Sequence, residues 1–197
     1  PEGLPAIVTI ALALGVQRMI KRSVIIRRLP AVETLGCATV ICSDKTGTLT
    51  QNQMMVTTCY LSGEEIEVSG HGYDPSGQLS WHGKEIKLSA KDVGFPDAQA
   101  LRMLLAAGFY CNNSDLGLEP KTKKWRLTGD PTEGALLVLG LKAGLKKGAV
   151  QRLAEIDFTS ERKRMSVLVE EEGKRFLYVK GAADLVLDLS TQIQWAG

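Results

Sequence analysis

Asp44-Lys45-Thr46-Gly47-Thr48-Leu49-Thr50 follows the short apolar run Thr39-Val40-Ile41-Cys42-Ser43. A β-rich run that ends on Asp predicts a buried parallel strand. Ligands of open α/β sheets gather beyond the carboxyl ends of the strands, which is where Asp44 would be delivered. Gly47 lets the backbone approach a ligand closely, Thr46 and Thr48 add hydroxyls, and the turn adds N–H donors suited to phosphate oxygens. A carboxylate facing such a cradle can act as a nucleophile and form an acyl phosphate. Taken singly, Asp44 and its threonines also describe a polar turn closing a strand.

In this order the stretch resembles the phosphorylation motif of the P-type cation-transporting ATPases. Pro1-Glu2-Gly3-Leu4-Pro5 looks like the family's ion-binding segment. Glu33-Thr34-Leu35-Gly36 precedes the phosphorylation strand and Gln51-Asn52-Gln53-Met54 follows it. Phe158-Thr159-Ser160-Glu161-Arg162-Lys163-Arg164-Met165-Ser166 and Lys180-Gly181-Ala182 look like motifs of its nucleotide domain. Their order and intervals are similar to the calcium-pump branch.

Composition sets bounds without choosing among functions. At 197 residues, 44% hydrophobic and 23% charged, the chain can build one sizeable core or two small ones. A net charge of +2, with basic residues that do not interleave with aromatics, argues against nucleic acid as a partner. Cys37, Cys42, Cys59 and Cys111 form no CxxC pair, and His71 and His82 lie far from them, so no metal-ligand spacing is present. Reduced thiols in a cytosolic domain are the expectation. Pro1 in place of an initiator Met, with no charged leader, leads us to expect a piece of a longer protein.

Leu4 to Val16 is almost wholly apolar but falls short of the roughly 20 residues a spanning helix needs. Arg18, Lys21, Arg22, Arg27 and Arg28 follow, the enrichment expected on the cytoplasmic side of a membrane helix. We therefore expect residues 1–22 to be the cytoplasmic half of a membrane helix with its basic flank, with lipid around residues 4–16. Everything after about residue 22 would be cytoplasmic in a multi-pass membrane protein. For Glu2 two readings stand. Between prolines that free backbone carbonyls it suits a hard cation, and the resemblance implies a ligand of the transported ion. Near a helix N-terminus it is also simply favoured by the dipole.

Residues 23–51 are expected to begin the phosphorylation domain, entered through Leu29-Pro30 and contributing one strand of its sheet. Residues 52–197 read as a nucleotide-binding domain. Strands are predicted at Met54 to Leu61 and Glu65 to Ser69, then a loop or short hairpin over His71 to Gly83. Helices are predicted over Asp97 to Cys111 and from Asp130-Pro131-Thr132-Glu133, where Asp caps, Pro takes the first helical position and Glu closes a capping box. Strands follow at Ile156 to Phe158, Met165 to Glu170 and Arg175 to Val179, the last two as a hairpin. Gly181 to Leu189 closes with a helix. The expected fold class is α/β: the start of a Rossmann-like, haloacid-dehalogenase-type phosphorylation domain, plus an α+β domain with an antiparallel sheet flanked by helices.

An ATP pocket needs a flat apolar face and cations, and Phe158, Lys163 and Lys180 supply those types. The resemblance implies that Phe158 stacks on adenine with Lys163 in the same pocket, that Arg162 and Met165 line it, and that Lys180 closes its bottom where Gly181 permits close approach. Ala183 stands where many relatives carry Pro. Glu133 falls near the position that meets the adenine amino group, while its capping box is sufficient to explain it. The resemblance further implies ATP and Mg²⁺ as cofactors, Ca²⁺ as the transported ion, and the rest of the same pump as partner. Asp44 would be nucleophile and metal ligand, Thr46 would help hold Mg²⁺ through its carbonyl, and Lys45, Gly47 and Thr48 would complete the phosphate loop. A haloacid-dehalogenase-type phosphatase would carry a second Asp two residues after the nucleophile, where Thr46 stands here. A non-catalytic ATP-binding module is the other alternative. The family's later Mg²⁺-binding Asp motif is not found after Lys180, so the chain alone is expected to bind ATP weakly and not to phosphorylate itself.

Overall fold

The computed structural model describes residues 3–88 and 93–193, and the chain divides into two compact units, Pro1–Gln51 and Asn52–Gly197. In the first unit, α1 (Leu4–Ile20) carries Pro5 in its first turn, where the missing N–H costs nothing, and Arg18 in its last, where a cation suits the dipole. It runs one turn past the expected apolar stretch. Gln17 and Arg18 are good helix formers and do not break it. Among the described residues no helix is long and apolar enough to cross a membrane. The short α2 (Pro30–Gly36) follows, with Val32 against Gly15 of α1. Glu2 lies outside the described residues.

The strand expected at Thr39–Ser43 does not enter a ladder. The segment has no assigned sheet partner, and Val40 and Ile41 are 75% and 90% exposed. The reason is physical: β-propensity becomes a strand only when a neighbouring backbone accepts its N–H and C=O groups. None of the described residues of this unit does so.

Among the described residues the second unit holds three antiparallel sheets rather than one. β1 (Thr58–Leu61), β2 (Glu64–Val68), β3 (Leu79–Trp81) and β4 (Lys84–Ile86) form a meander. β5 (Asp115–Leu118) and β6 (Trp125–Thr128) form a lone hairpin that the sequence reading did not foresee. β7 (Gln151–Ile156), β8 (Arg164–Glu171) and β9 (Lys174–Gly181) form the third sheet. The two-residue turns Ser62-Gly63, His82-Gly83 and Glu172-Gly173 have positive φ at both residues, as the mirror-image turns of tight hairpins require. The first strand starts at Thr58 rather than Met54. β7 starts at Gln151 and stops at Ile156, which leaves Asp157 and Phe158 beyond its end.

α3 (Ala98–Tyr110) is the wedge of this unit. Asp97 caps it, accepting from Ala100 N at 3.0 Å. Leu101 and Leu105 pack into a core with Ile66, Leu79 and Phe95 of the meander side. Ala106 and the C-cap Cys111 join Met165, Val167, Val169 and Tyr178 of the third sheet. α4 (Pro131–Lys142) lies beside α3, with Leu136 at Gly108 and the Phe109 ring at Gly140. α5 (Ala183–Asp188) ends the described fold; Ala183 is its first helical residue, a position that tolerates Pro and does not require it. Cys37 and Cys42 are exposed free thiols. Burial pushes the Cys59 and Cys111 thiols above their ordinary value and keeps them protonated.

Candidate functional site

Asp44 and its loop are surface features of the first unit. Thr46 (φ −80°, ψ 121°) and Gly47 (φ 77°, ψ −3°) have the angles of a type II turn, whose second central residue must take positive φ. The extended Asp44 precedes it and accepts from Thr46 N through Oδ1 at 3.2 Å. Thr50 closes the turn from the far side, its N–H donating to Lys45 O at 3.0 Å and its Oγ1 accepting from Gly47 N at 3.4 Å. Lys45, Thr46, Gly47 and Thr48 are all exposed, and so is Asp44. The arrangement is a carboxylate in water beside a stiff turn, free to meet a ligand.

The second unit contains a cleft of about 480 Å³ lined by Asp130, Thr132, Glu133 and Leu136 at the start of α4, Phe158 beyond β7, and Lys180 and Gly181 at the end of β9. Phe158 is 58% exposed, unusual for a ring that could have been core. Lys180 Nζ meets Glu133 Oε1 at 2.6 Å, with side chains 19% and 16% exposed. The other oxygen, Oε2, accepts from Asn113 N at 2.9 Å and from Ser114 Oγ at 3.4 Å. Glu133 therefore does not close the expected capping box. Its carboxylate is turned into the cleft, where a cation and an amide satisfy it better than a return to the helix start.

Asp130 alone caps α4, accepting from Thr132 N at 2.8 Å and Glu133 N at 3.2 Å. Burial pushes its carboxyl up, but those amide donors and Lys180 outweigh it and hold the group below its ordinary value. A depressed carboxyl contributes stability in full above its unfolded-state value and loses it as pH falls through the lower folded-state one. Asp130→Ala should cost about 1 kcal/mol at neutral pH. Urea denaturation of the two proteins should show that difference at pH 7, and the gap should shrink under acid.

Three residues expected in the pocket are not among those lining this cleft. Met165 is 1% exposed and belongs to the core beneath. It pairs with Lys180 across β8 and β9, so it shares that face of the sheet from below the cleft. Arg162 donates to Ile156 O at 3.3 Å, Asp157 O at 3.0 Å and Ser166 Oγ at 3.2 Å. Ser166 follows Met165 in the strand and so points to the opposite face. Arg162 thus clamps the backbone leading to Phe158 from behind.

Lys163 is exposed with φ 48°. Its backbone staples the turn, the N–H donating to Thr159 O at 2.7 Å and the carbonyl accepting from Ala182 N at 2.9 Å. Gly181 is needed beside it, because a Cβ there would stand 2.6 Å from that of Arg164. Sequence reasoning missed Asp130 and Thr132 as lining, although both sit in the helix-start signal it used. It also missed Leu136, one turn on from Thr132, and Asn113, which does not line the cleft but donates to Glu133 and for which no local signal exists.

An aromatic platform, a shielded cation and a helix start around one cleft are the parts of a nucleotide-binding domain, carried by an antiparallel sheet backed by helices. Residues 100–197 match the family model described as the P-type ATPase cytoplasmic domain N. The chain is 47% identical over 202 residues to a calcium-transporting ATPase of Bacillus subtilis, covering 100% of this chain and 22% of that protein. It is 48% identical over 193 residues to the cation-transporting ATPase pma1 of Synechocystis sp., covering 95% and 21%. To the calcium-transporting ATPase type 2C member 1 of Bos taurus it is 42% identical over 199 residues, covering 97% and 19%. The chain belongs to the P-type ATPase family, and it spans about a fifth of the length of these relatives.

Proposed function

We propose that the chain serves a cation pump, binding ATP in the cleft of the second unit and accepting the γ-phosphoryl group on Asp44 of the first. The observation that carries the ATP reading is Phe158, a ring left 58% exposed on the wall of a cleft whose lining includes the shielded Lys180. Adenine would stack on the ring, with Glu133 and Lys180 as the polar groups that orient it. Titration of the purified chain with ATP tests this: Phe158→Ala should weaken binding by about 1–3 kcal/mol, the scale of base–aromatic stacking. Unchanged affinity would overturn it.

On Asp44, a carboxylate oxygen forms the new bond to the γ-phosphorus as the bond to the bridging oxygen breaks and ADP leaves. The turn suits Mg²⁺ by the chemistry of its donors, the Asp44 carboxylate and the Thr46 carbonyl, both hard oxygens. One carboxylate leaves most of the metal's coordination to phosphate and water. Bound there, Mg²⁺ would offset the repulsion between carboxylate and phosphate. Thr46, standing where a phosphatase would place its second carboxylate, cannot activate water, so the acyl phosphate would last long enough to be used.

Ca²⁺ is the proposed ion, supported by two of the three relatives named for calcium and by Pro1-Glu2-Gly3-Leu4-Pro5, with Glu2 among its ligands. On the same reading, residues 1–22 belong to a membrane helix and its flank, 23–51 to the phosphorylation domain and 52–197 to the nucleotide domain, with all after about residue 22 cytoplasmic.

A further inference from the structure

We propose that Asn113 is a positioning residue for the nucleobase, a bridge that holds the two walls of the cleft, Glu133 and Phe158, at one spacing. This rests on the ATP reading above and goes beyond it. The backbone N–H of Asn113 donates to Glu133 Oε2 at 2.9 Å. Its side-chain Nδ2 donates to Glu155 Oε1 at 2.5 Å and to Asp157 Oδ1 at 3.2 Å, and Asp157 immediately precedes Phe158. Its Oδ1 accepts from Arg152 Nη2 at 2.8 Å, and Arg152 also meets Glu155 at 2.9 Å.

The charges around the amide fix which way it points, because a reversed carbonyl would face two carboxylates. One residue therefore touches the carboxylate of one wall and the strand end that carries the ring of the other. The strand end is held twice. Arg162 grips the Ile156 and Asp157 carbonyls, while Asn113 holds the Asp157 side chain. Without the amide, Glu155 and Asp157 would converge on one vacated spot with a single guanidinium between them. Asp157 would turn to water, and Phe158 would lose its fixed distance from Glu133.

Because Asn113 is exposed, substitution there should not unfold the chain. Asn113→Asp places a third carboxylate at the bridge and should weaken ATP binding, measured by calorimetry on the purified chain, by about fivefold to tenfold. The thermal midpoint should stay put. Exchanging the amide and the acid in Asn113→Asp/Asp157→Asn pairs an amide with an acid again but leaves Glu155 facing a carboxylate, so it should return part of the lost affinity, roughly twofold to threefold. If Asn113→Asp proves unstable, Asn113→Ala adds no charge and should still cost about threefold. Undiminished affinity in the single variants, or no recovery in the exchange, overturns the proposal. Phe158→Ala is measured alongside: if it too binds ATP normally, the cleft reading falls and takes this with it. If it loses ATP while Asn113→Asp does not, only the bridge is wrong.

Discussion

Asp44→Asn in the whole protein should, on the pump reading proposed above, yield no acid-stable phosphoenzyme from γ-labelled ATP, and transport should fall by about 10⁴-fold or more, the scale on which loss of a covalent nucleophile is felt. The substitution isolates chemistry from structure. Asparagine has the same shape, its Oδ1 can still accept from Thr46 N, and the side chain is exposed with no packing to lose. The turn that follows owes its geometry to Thr46 and Gly47, which are untouched. What vanishes is the anionic oxygen proposed to attack phosphorus. Asp44→Glu keeps the charge but displaces it by a methylene, and a misplacement of about 1 Å is enough to cost on the order of 10²-fold. Transport at ordinary rates by either variant would remove Asp44 from the mechanism.

The legibility of this chain was uneven for identifiable reasons. Helices α3 and α4 were readable because their starts are local: Asp97 and Asp130 each bond an amide two or three residues on, and those bonds depend on nothing distant. Hairpin β8–β9 was readable because Glu172-Gly173 sits between two β-rich runs. The β5–β6 hairpin was not, since Leu116, Leu118, Trp125 and Leu127 alternate over strands too short to stand out, and a basic stretch, Lys121 to Lys124, separates them. Thr39–Ser43 looked like a strand and is extended without partners, because pairing is a property of two segments. The cleft shows the same division. Phe158, Lys180 and Gly181 came from the motifs, but Met165 is sunk in the core beneath Lys180 and Arg162 is drawn to the Ile156 and Asp157 carbonyls and to Ser166, contacts between segments that a linear motif cannot display.

Lys180→Met should destabilise the second unit by about 2–3 kcal/mol, somewhat below the range for fully buried ion pairs because both partners keep some exposure. The methionine fills similar volume, so the cost comes from Glu133. Its Oε1 would lose its 2.6 Å cation while Oε2 remained fixed by the Asn113 amide, so the carboxylate could not swing out to water without breaking that bond too. Urea unfolding should register the loss, and the thermal midpoint should drop by roughly 5–10 °C. Glu133→Gln/Lys180→Met removes both charges and should regain most of that stability, as replacement of a shielded pair by neutral groups commonly does. ATP binding should not follow. Lys180 is the cation among the residues lining the cleft, and with both charges gone neither methionine nor glutamine restores the polar pair proposed to orient the base. A double variant that is stable and still fails to bind ATP would separate the two roles of the pair. One that regains affinity with stability would mean that Lys180 holds the wall of the cleft together and does not meet the nucleotide.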